Sequence, residues 1–416
     1  MADAPLSPPV SRGPGLPMLA ALAERNFRLY WSGLISYVLG WRIEYVTYAW
    51  VVWELTYDPL YLGFYGVAEG VPLVLCQLFG GVLADRARRL PLLIGTQCVT
   101  AATLTVAFLL TASALIRIEF IYPLVAVSAT FRAFEQPTRM ALIPSLVSRD
   151  KLSNAIAIGS IPWQTGRILG PSVAGLLIAT FGAAVGFALA ALAYYLAIGL
   201  YTRLRIADER PAARGESVLR TLAEGLRFVA SQPLFSSLTA LTFFNSVFGM
   251  AYVSLMPIFA DRYFDVGSGG YGLMQSIGGI GAMLGTFVLA TLASRLRQRG
   301  RVLLTGGAVF GLALVGFSQA PSLPVALVLL VVMGVANTFY LTLVNIILQE
   351  QVPTELRGRV MGIYGLAFNL IPIGGILAGA LAAAVDARFA VLVGGLMVAG
   401  MALALLAFGK RLRAIE

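Results

Sequence analysis

Stretches of about 20 mostly apolar residues recur along almost the whole chain, and this recurrence limits the fold more than any other feature. A helix of about that length crosses the ~30 Å hydrocarbon layer of a membrane, where backbone polar groups must be paired internally. The chain is 58% hydrophobic and 12% charged, whereas soluble domains carry about 25% charged residues. We therefore expect an all-α integral membrane protein.

Apolar windows between charge clusters predict twelve membrane-spanning helices in two sets of six. The first set lies near residues 28–54, 60–84, 90–113, 118–146, 155–181 and 183–203, and the second near 234–262, 269–294, 300–318, 323–351, 358–383 and 387–410. The predicted organisation is a disordered tail (1–27), an N-terminal bundle (28–203), a linker with an amphipathic helix (204–232), a C-terminal bundle (233–410) and a short tail (411–416).

The distribution of basic residues predicts the orientation. If the N-terminus is cytoplasmic, most of the 30 Lys and Arg residues fall in inside segments, and the outside loops hold only Arg117, Arg262 and Arg388. Basic residues concentrate on the cytoplasmic side of membrane proteins. We therefore expect both termini to be cytoplasmic.

The linker contains a pattern typical of an amphipathic helix on the cytoplasmic surface. Leu219, Leu222, Leu226 and Val229 share one helical face, as expected for a helix lying along a membrane. A solvated linker is the alternative interpretation.

The loop after the second predicted helix reads GVLADRARR from Gly81. It resembles the signature loop of the major facilitator superfamily, G-x-x-x-D-R-x-G-R-R. Gly81, Asp85 and Arg86 match, and Arg88 stands where the family has its second glycine. The resemblance implies a gating loop of Gly81, Asp85, Arg86, Arg88 and Arg89, whose carboxylate helps to lock the halves in the outward-facing state.

The fifth predicted helix carries a second motif, GRILGPSVAG. It resembles the proton-antiporter motif G-x-x-x-G-P-x-x-G-G at Gly166, Arg167, Gly170, Pro171 and Gly175. Small residues at this spacing let helices approach closely. A packing motif that carries no transport direction is the alternative.

Three further segments are PTRMALIPSLVSRDKLSNAIAI, EGLRFVASQP and QEQVPTELRGRVMGIYG. Together they resemble the bacterial exporters that include the enterobactin exporter and macrolide efflux proteins. The resemblance implies two pseudo-symmetric six-helix bundles with a substrate site between them near mid-membrane. It also implies a monomer in the bacterial cytoplasmic (inner) membrane.

Charged residues also fall within the predicted spans, where each costs about 3 kcal/mol if it faces lipid. The candidate proton-coupling residues are Glu44, Glu69, Glu135, Arg42, Arg132 and Arg139. The spacing of Arg132, Glu135 and Arg139 predicts one polar stripe. Arg132 matches the arginine of a further family motif, R-x-x-Q-G, implicated in proton transfer. The alternative is that the acids only neutralise the arginines and hold the helices in register.

Polar and aromatic residues elsewhere in the spans are candidates for a substrate cavity. They are Tyr48, Tyr65, Asn245, Phe248, Tyr252, Gln275, Asn337, Tyr340 and Gln349. Such a lining suits an amphipathic organic molecule. Ordinary hydrogen bonding between helices is the alternative for each amide.

The sequence argues against an enzyme. It contains no histidine, which excludes Ser-His-Asp triads and histidine metal sites, and no G-x-x-x-x-G-K-S/T loop for ATP. Cys76 and Cys98 lie in apolar runs and suggest neither a disulfide nor a metal site. We expect no catalytic residue, metal, cofactor or nucleic-acid partner.

The resulting hypothesis is proton-coupled export, by alternating access, of an amphipathic or lipophilic small molecule such as a drug or siderophore. The expected partners are this substrate, protons and the lipid bilayer. An importer, uniporter or lipid transporter of the same fold, and a transport-inactive membrane sensor, are the alternatives.

Overall fold

The structure is a computed structural model that describes residues 17–86, 88–206, 218–292, 296–368 and 370–415. Regular structure in these ranges is helical throughout. The α-helices are α1 (Arg25–Thr56), α2 (Pro59–Arg86), α3 (Arg89–Ala112), α4 (Ile118–Arg132), α5 (Glu135–Leu142), α6 (Leu152–Gly159), α7 (Ile161–Phe181), α8 (Ala183–Tyr201), α9 (Val218–Ser231), α10 (Pro233–Phe244), α11 (Tyr252–Ile258), α12 (Gly267–Leu292), α13 (Arg299–Ser318), α14 (Leu323–Gln351), α15 (Thr354–Phe368), α16 (Ile371–Ala384), α17 (Ala387–Phe408) and α18 (Lys410–Arg413). Two π-helical turns, Asn245–Gly249 and Phe259–Tyr263, flank α11.

Nine helical segments of the described chain are long and apolar enough to cross a membrane. The other three predicted spans correspond to α1, to α4 with α5, and to α6 with α7, which carry charged residues of the span interiors. Large apolar side chains are exposed on the helices, with Phe408 at 85% and Phe287 at 70% exposure, as expected where a helix faces lipid. The predicted all-α membrane fold is confirmed, and twelve spans are consistent with these helices.

Some predicted spans are broken. A turn at Ala133 and Phe134 separates α4 from α5, so the prediction of one helix over 118–146 is wrong there. Pro162 and Pro372 lie in the first turns of α7 and α16, where proline is favoured because it lacks a backbone N–H. The breaks therefore give new helix starts inside the membrane-spanning regions.

Regular structure begins before residue 27, the predicted end of a disordered N-terminal tail. Pro17–Ala23 form a 3₁₀ helix that packs on α6. The backbone N–H of Ala21, which is fully buried, donates to Oδ1 of Asn154 at 2.9 Å. Burial and this hydrogen bond hold the segment, while residues 1–16 lie outside the described residues.

A helix is present in the predicted linker. This helix, α9, packs on α15, and Glu224 forms a 2.6 Å ion pair with Arg359. Val229 is buried and Leu226 is exposed. The side chains of Leu219 and Leu222, and residues 207–217, lie outside the described part of the chain.

The helices pack as two bundles. In the N-terminal bundle α1 packs on α7 and α8, and α3 packs on α8. In the C-terminal bundle α13 packs on α14 and α17, and α12 packs on α14. The bundles meet chiefly where α7 packs on α12 and α2 packs on α16. We call the face where α1 begins and α17 ends the terminal face, and the face where α1 ends and α2 begins the opposite face.

Glycines bring the bundles into backbone contact toward the opposite face. A Cβ atom on Gly272 of α12 would collide with the carbonyl oxygen of Pro171 in α7, and one on Gly175 would lie 2.5 Å from the carbonyl oxygen of Ser268. On the other side of the interface, a Cβ on Gly379 of α16 would lie 2.7 Å from the carbonyl oxygen of Pro59. Side chains larger than hydrogen would therefore force the bundles apart.

A polar contact joins the bundles at the opposite face. The indole N–H of Trp53, near the end of α1, donates to Oδ2 of Asp261 in the C-terminal bundle at 2.9 Å. Arg262 donates to the backbone carbonyl oxygen of Tyr57 at 2.6 Å and stacks over the Trp53 ring at 4.6 Å. We call Trp53, Tyr57, Asp261 and Arg262 the latch.

Gly272→Ala is expected to weaken the docking of α7 on α12, because the new methyl group meets backbone that cannot rotate away. Unfolding measured in detergent should occur at a lower temperature than in the unmodified protein. Gly278→Ala on the same helix is the matched control, since a Cβ there has no neighbour within 4 Å. Equal effects of the two substitutions would contradict this account of the interface.

Trp53→Phe is expected to let the bundles separate at the opposite face, because it keeps an aromatic ring and removes the donor to Asp261. A hydrogen bond to a charged group contributes about 1.5–3 kcal/mol, so the separated population should rise about tenfold or more. The measurement is a spin-label distance distribution between Leu115→Cys and Val385→Cys, in a background with Cys76 and Cys98 replaced by Ala.

Trp31→Phe is the control for that measurement. The Trp31 indole donates to the carbonyl oxygen of Ile158 within the N-terminal bundle, so its loss removes one hydrogen bond without crossing the interface. If the distances in Trp53→Phe are the same as those in Trp31→Phe and in the unmodified protein, the latch does not hold the opposite face closed.

Candidate functional site: a charged cavity between the bundles

Arg132, the last residue of α4, is shared by two carboxylates from other helices. Its guanidinium donates to Oε1 of Glu69 in α2 at 2.7 Å and lies 3.6 Å from Oε1 of Glu44 in α1. The Tyr194 hydroxyl of α8 donates to the other Glu44 oxygen at 3.0 Å. We call Glu44, Glu69 and Arg132 the three-charge cluster.

The three-charge cluster is not electrically balanced. Within the cluster, two ionised carboxylates and one guanidinium leave an excess negative charge, and Glu44 is only 3% exposed. Arg42 and Arg167 border the same cavity as Glu69, but neither forms an ion pair with it in the described part of the chain. An uncompensated charge is costly in a low-dielectric interior. Uptake of one proton by either carboxylate would balance the cluster, which is the chemistry that a proton-coupling site needs.

A second buried pair lies nearby on α5. Arg139 donates to Oε2 of Glu135 at 2.6 Å, and its guanidinium lies 3.5 Å from the centre of the Tyr37 ring. Arg132 and Arg139 of the predicted stripe line one cavity, and Glu135 pairs with Arg139. The turn between α4 and α5 directs Arg132 to α1 and α2, while Glu135 and Arg139 pair with each other.

A central cavity of about 410 Å³ lies between the bundles. Its aromatic and thioether lining comes from both bundles and consists of Trp41, Tyr45, Tyr65, Tyr252, Met250, Met256 and Met274. Its polar lining includes Glu69, Arg42, Arg167 and Gln275. One member of the three-charge cluster thus borders the space in which a ligand fits.

Two neighbouring cavities share lining residues with the central one. A cavity of about 520 Å³ in the N-terminal bundle shares Trp41 and includes Arg132 and Arg139. Another of about 420 Å³ shares Arg167 and includes Asn337. The three cavities therefore share wall residues, and Arg132, Arg139 and Arg167 border them.

The antiporter-like motif packs α7 on α1 and α12. Gly166 and Gly170 face Val38 and Arg42 of α1, where a Cβ on either glycine would collide with the facing side chain. Gly175 and Pro171 contact α12, and Arg167 borders the central cavity. The short motif thus sets the separation of three helices at the cavity wall.

The structure distributes the predicted substrate residues unevenly. Tyr65, Tyr252 and Gln275 line the central cavity, and Asn337 lines its neighbour. Tyr48 packs on Phe187, Asn245 is fully buried, and Phe248 contacts Phe244 with tilted rings. Tyr340 donates to the carbonyl oxygen of Leu241, and Gln349 donates to Asn345. These last five lie outside the lining of the three cavities.

Part of the predicted gating loop is described. Arg89 donates to the carbonyl oxygen of Ala141 at 3.1 Å, and Arg88 is exposed. The side chains of Gly81, Asp85 and Arg86 lie outside the described residues, so their gating role stays a prediction.

Sequence reasoning missed Tyr194 and the latch. The only polar side-chain atoms of α8 are the hydroxyls of Tyr194, Tyr195 and Tyr201, and a buried tyrosine hydroxyl usually has a partner. Sequence alone does not tell which of the three is paired. Trp53 and Asp261 carry no such signal, because an indole and an acid near helix ends are common at membrane interfaces. Their pairing depends on how the bundles dock, which the sequence pattern does not encode.

The two helical bundles, their glycine-mediated interface and the charged cavity between them define a membrane transporter of the major facilitator type. The chain belongs to the MFS_3 family, described as transmembrane secretion effector, whose model matches residues 17–416. The predicted superfamily is thereby confirmed, and the chain is a multi-pass membrane transporter rather than an enzyme.

Three relatives are transporters of drugs or siderophores. The multidrug efflux pump Tap of Mycolicibacterium fortuitum is 28% identical over 82% of this chain and 86% of that protein. The staphyloferrin A transporter of Staphylococcus aureus is 23% identical over 84% and 88%. The enterobactin exporter EntS of Escherichia coli is 27% identical over 83% and 80%.

Solved structures support the fold. The nucleoside transporter NupG superimposes with a TM-score of 0.69 and 16% identity, over 93% of this chain and 99% of that one. A bacterial homologue of the lysosomal transporter Spinster, solved in an inward-facing and unoccupied conformation, gives 0.68 and 16%, over 95% and 96%. At this identity the likeness concerns the fold alone.

Arg132→Gln is expected to destabilise the protein strongly, because it leaves Glu44 and Glu69 buried without the cation that pairs with both. Breaking a buried ion pair from one side costs about 3–5 kcal/mol, whereas an exposed pair contributes about 0–1 kcal/mol. The free energy of unfolding, measured by denaturant titration in mixed micelles, should therefore fall far more than for Lys151→Gln, which breaks the surface pair with Glu24.

The double variant Arg132→Gln/Glu69→Gln tests whether unpaired charge causes the loss of stability. Removing one carboxylate together with the arginine should restore part of the lost stability. If the double variant is as unstable as Arg132→Gln alone, the loss comes from packing and not from charge.

Proposed function

We propose that this protein is a proton-coupled exporter, an antiporter of an amphipathic or lipophilic small molecule such as a drug or siderophore. The observation that carries the proposal is the sharing of Arg132 between Glu44 and Glu69, with Glu69 at the wall of the central cavity. The cluster has one carboxylate more than it has cations. Gain and loss of a proton can therefore alternate with substrate binding at the same place.

Coupling follows from the geometry of the cluster. Glu69 is the more exposed carboxylate, with 18% of its side chain accessible against 4% for Glu44. A proton entering through the cavity reaches Glu69 first and weakens its bond to Arg132, which then turns toward Glu44. Release of α2 from α4 in this way links protonation to helix movement.

Alternating access is supported by the asymmetry of the contacts between the bundles. The glycine contacts and the latch close the opposite face, and the cavity lined by Arg132 and Arg139 extends from the central cavity toward the terminal face. With basic residues inside, the terminal face is cytoplasmic and the protein is inward-facing in the bacterial inner membrane. We propose that it works as a monomer.

The proposed substrate class is inferred from the side chains that line the central cavity. Tyr and Met side chains supply contact area that adapts to different shapes, and a few polar groups orient the ligand. Relatives named for multidrug efflux, staphyloferrin A and enterobactin support a drug or siderophore. Asp85 and its neighbours would then act as the cytoplasmic gate.

Transport in proteoliposomes tests the proposal. A thermal-shift screen of aromatic drugs and siderophores first selects a ligand, since selective binding stabilises the folded state. Glu44→Gln, Glu69→Gln and Glu135→Gln should each abolish accumulation driven by a pH gradient while keeping binding and downhill exchange, because an amide keeps the shape and removes the titration. Glu24→Gln, at the surface, is the control.

The outcomes separate the candidate functions. Accumulation inside vesicles with an acidic lumen supports antiport, whereas accumulation only from an acidic exterior indicates import. Binding without movement indicates a sensor. Full gradient-driven accumulation by all three single variants and by Glu44→Gln/Glu69→Gln would exclude these carboxylates as the coupling site.

A further inference from the structure

Two arginines reach the central cavity from neighbouring helices. Arg42 of α1 lies against Gly170 of α7, where a Cβ on the glycine would collide with the arginine side chain. Arg167 lies one turn earlier on α7, and its stem packs near Gly279 of α12. Both residues line the central cavity, so two arginine side chains share one space.

Neither guanidinium has an ion-pair or hydrogen-bond partner among the described residues, in contrast to Arg132 and Arg139. The Nε atom of Arg42 is buried and unpartnered, and its guanidinium stacks over the Trp41 ring at 4.3 Å. Glu69, the acid in the same lining, already pairs with Arg132 at 2.7 Å. Counted with Glu44 and Arg132, the charged groups of the cavity lining and the adjoining cluster are three arginines and two carboxylates, so the site lacks one anion.

Buried charges in proteins are normally paired, because an isolated charge loses its hydration without compensation. The guanidinium group offers a planar fork of donors that matches a carboxylate or another oxyanion. A ligand anion bound between Arg42 and Arg167 would supply the missing charge and accept the free donors.

The other side chains that line the central cavity indicate the chemistry of the rest of such a ligand. Trp41, Tyr45 and Tyr252 contribute aromatic side chains to the lining, and Met250 and Met274 contribute soft apolar surface. These groups suit an aromatic or apolar body attached to the anionic group.

We propose that Arg42 and Arg167 form an anion subsite in the central cavity, and that the substrate class is organic acids with an aromatic or apolar body. The proposal deepens the proposed export function. That the bound acid is a transported substrate rests on that function. The binding site itself is tested without transport.

The test compares two probes that differ only in charge, dansyl-glycine and its carboxamide, on the full-length protein in phosphatidylcholine nanodiscs. Fluorescence titration gives the dissociation constants. The acid should bind about tenfold more tightly than the amide, as expected for charge-assisted bidentate contacts. Arg42→Gln and Arg167→Gln should each reduce this ratio by about threefold or more, and the double variant should bring it to about one.

Arg117→Gln is the matched control, because Arg117 is an exposed arginine between α3 and α4. Arg42→Lys keeps the charge and loses the fork, so its ratio should lie between those of the unmodified protein and Arg42→Gln. Equal binding of acid and amide, or an unchanged ratio in the double variant, would overturn the proposal.

A ligand-free measurement decides the case in which neither probe binds. Arg42→Gln removes one of two unpaired like charges, so the protein without ligand should unfold at a higher temperature than the unmodified protein. A lower temperature would mean that Arg42 is structural, and would overturn the proposal.

Addition of phosphatidylglycerol to the nanodiscs separates two sources of the anion. Competition with dansyl-glycine assigns the subsite to a lipid headgroup, and absence of competition assigns it to a dissolved acid; an anion occupies the subsite in both cases. Gradient-driven transport without preference for the acid would reject the subsite alone. Preference for the acid without transport would reject the export function alone.

Discussion

The sharing of Arg132 between Glu44 and Glu69 is the interaction on which the N-terminal bundle depends. It joins α1, α2 and α4 inside a medium where each ion needs a partner, and Tyr194 extends the network to α8. Few other arrangements satisfy two acids and an arginine there. The same shortage of cations that makes the cluster responsive to protons also makes it sensitive to any change of charge.

The interface between the bundles uses a different physical principle. At Gly272 and Gly379 the contact is between backbones, with no side chain that could adjust. Such surfaces are either docked or apart, which suits a protein that alternates between two arrangements. The latch adds a directional polar contact at the rim, where water can replace it when the face opens.

The sequence predicted much of this architecture because its signals were local. Apolar length predicted the spans, and the glycine spacing from Gly166 predicted close packing. The position of Arg132 between two acids did not follow from helical periodicity, because it depends on how α1 and α2 pack beside α4. Burial of Tyr48 and Tyr340 was also not predictable, since an aromatic residue on a polar helical face can line a cavity or fill a gap. That choice depends on the neighbouring helices.

The charge network has a consequence for biosynthesis. Glu44 enters the membrane with the first helix, but 150 residues separate it from Tyr194, and Arg132 follows Glu69 by 63 residues. Each charge costs about 2.5–3.5 kcal/mol at the centre of a helix that inserts alone. The carboxylates of the first two helices therefore gain their cation only after α4 has been made, and insertion of these helices is less favourable before that point.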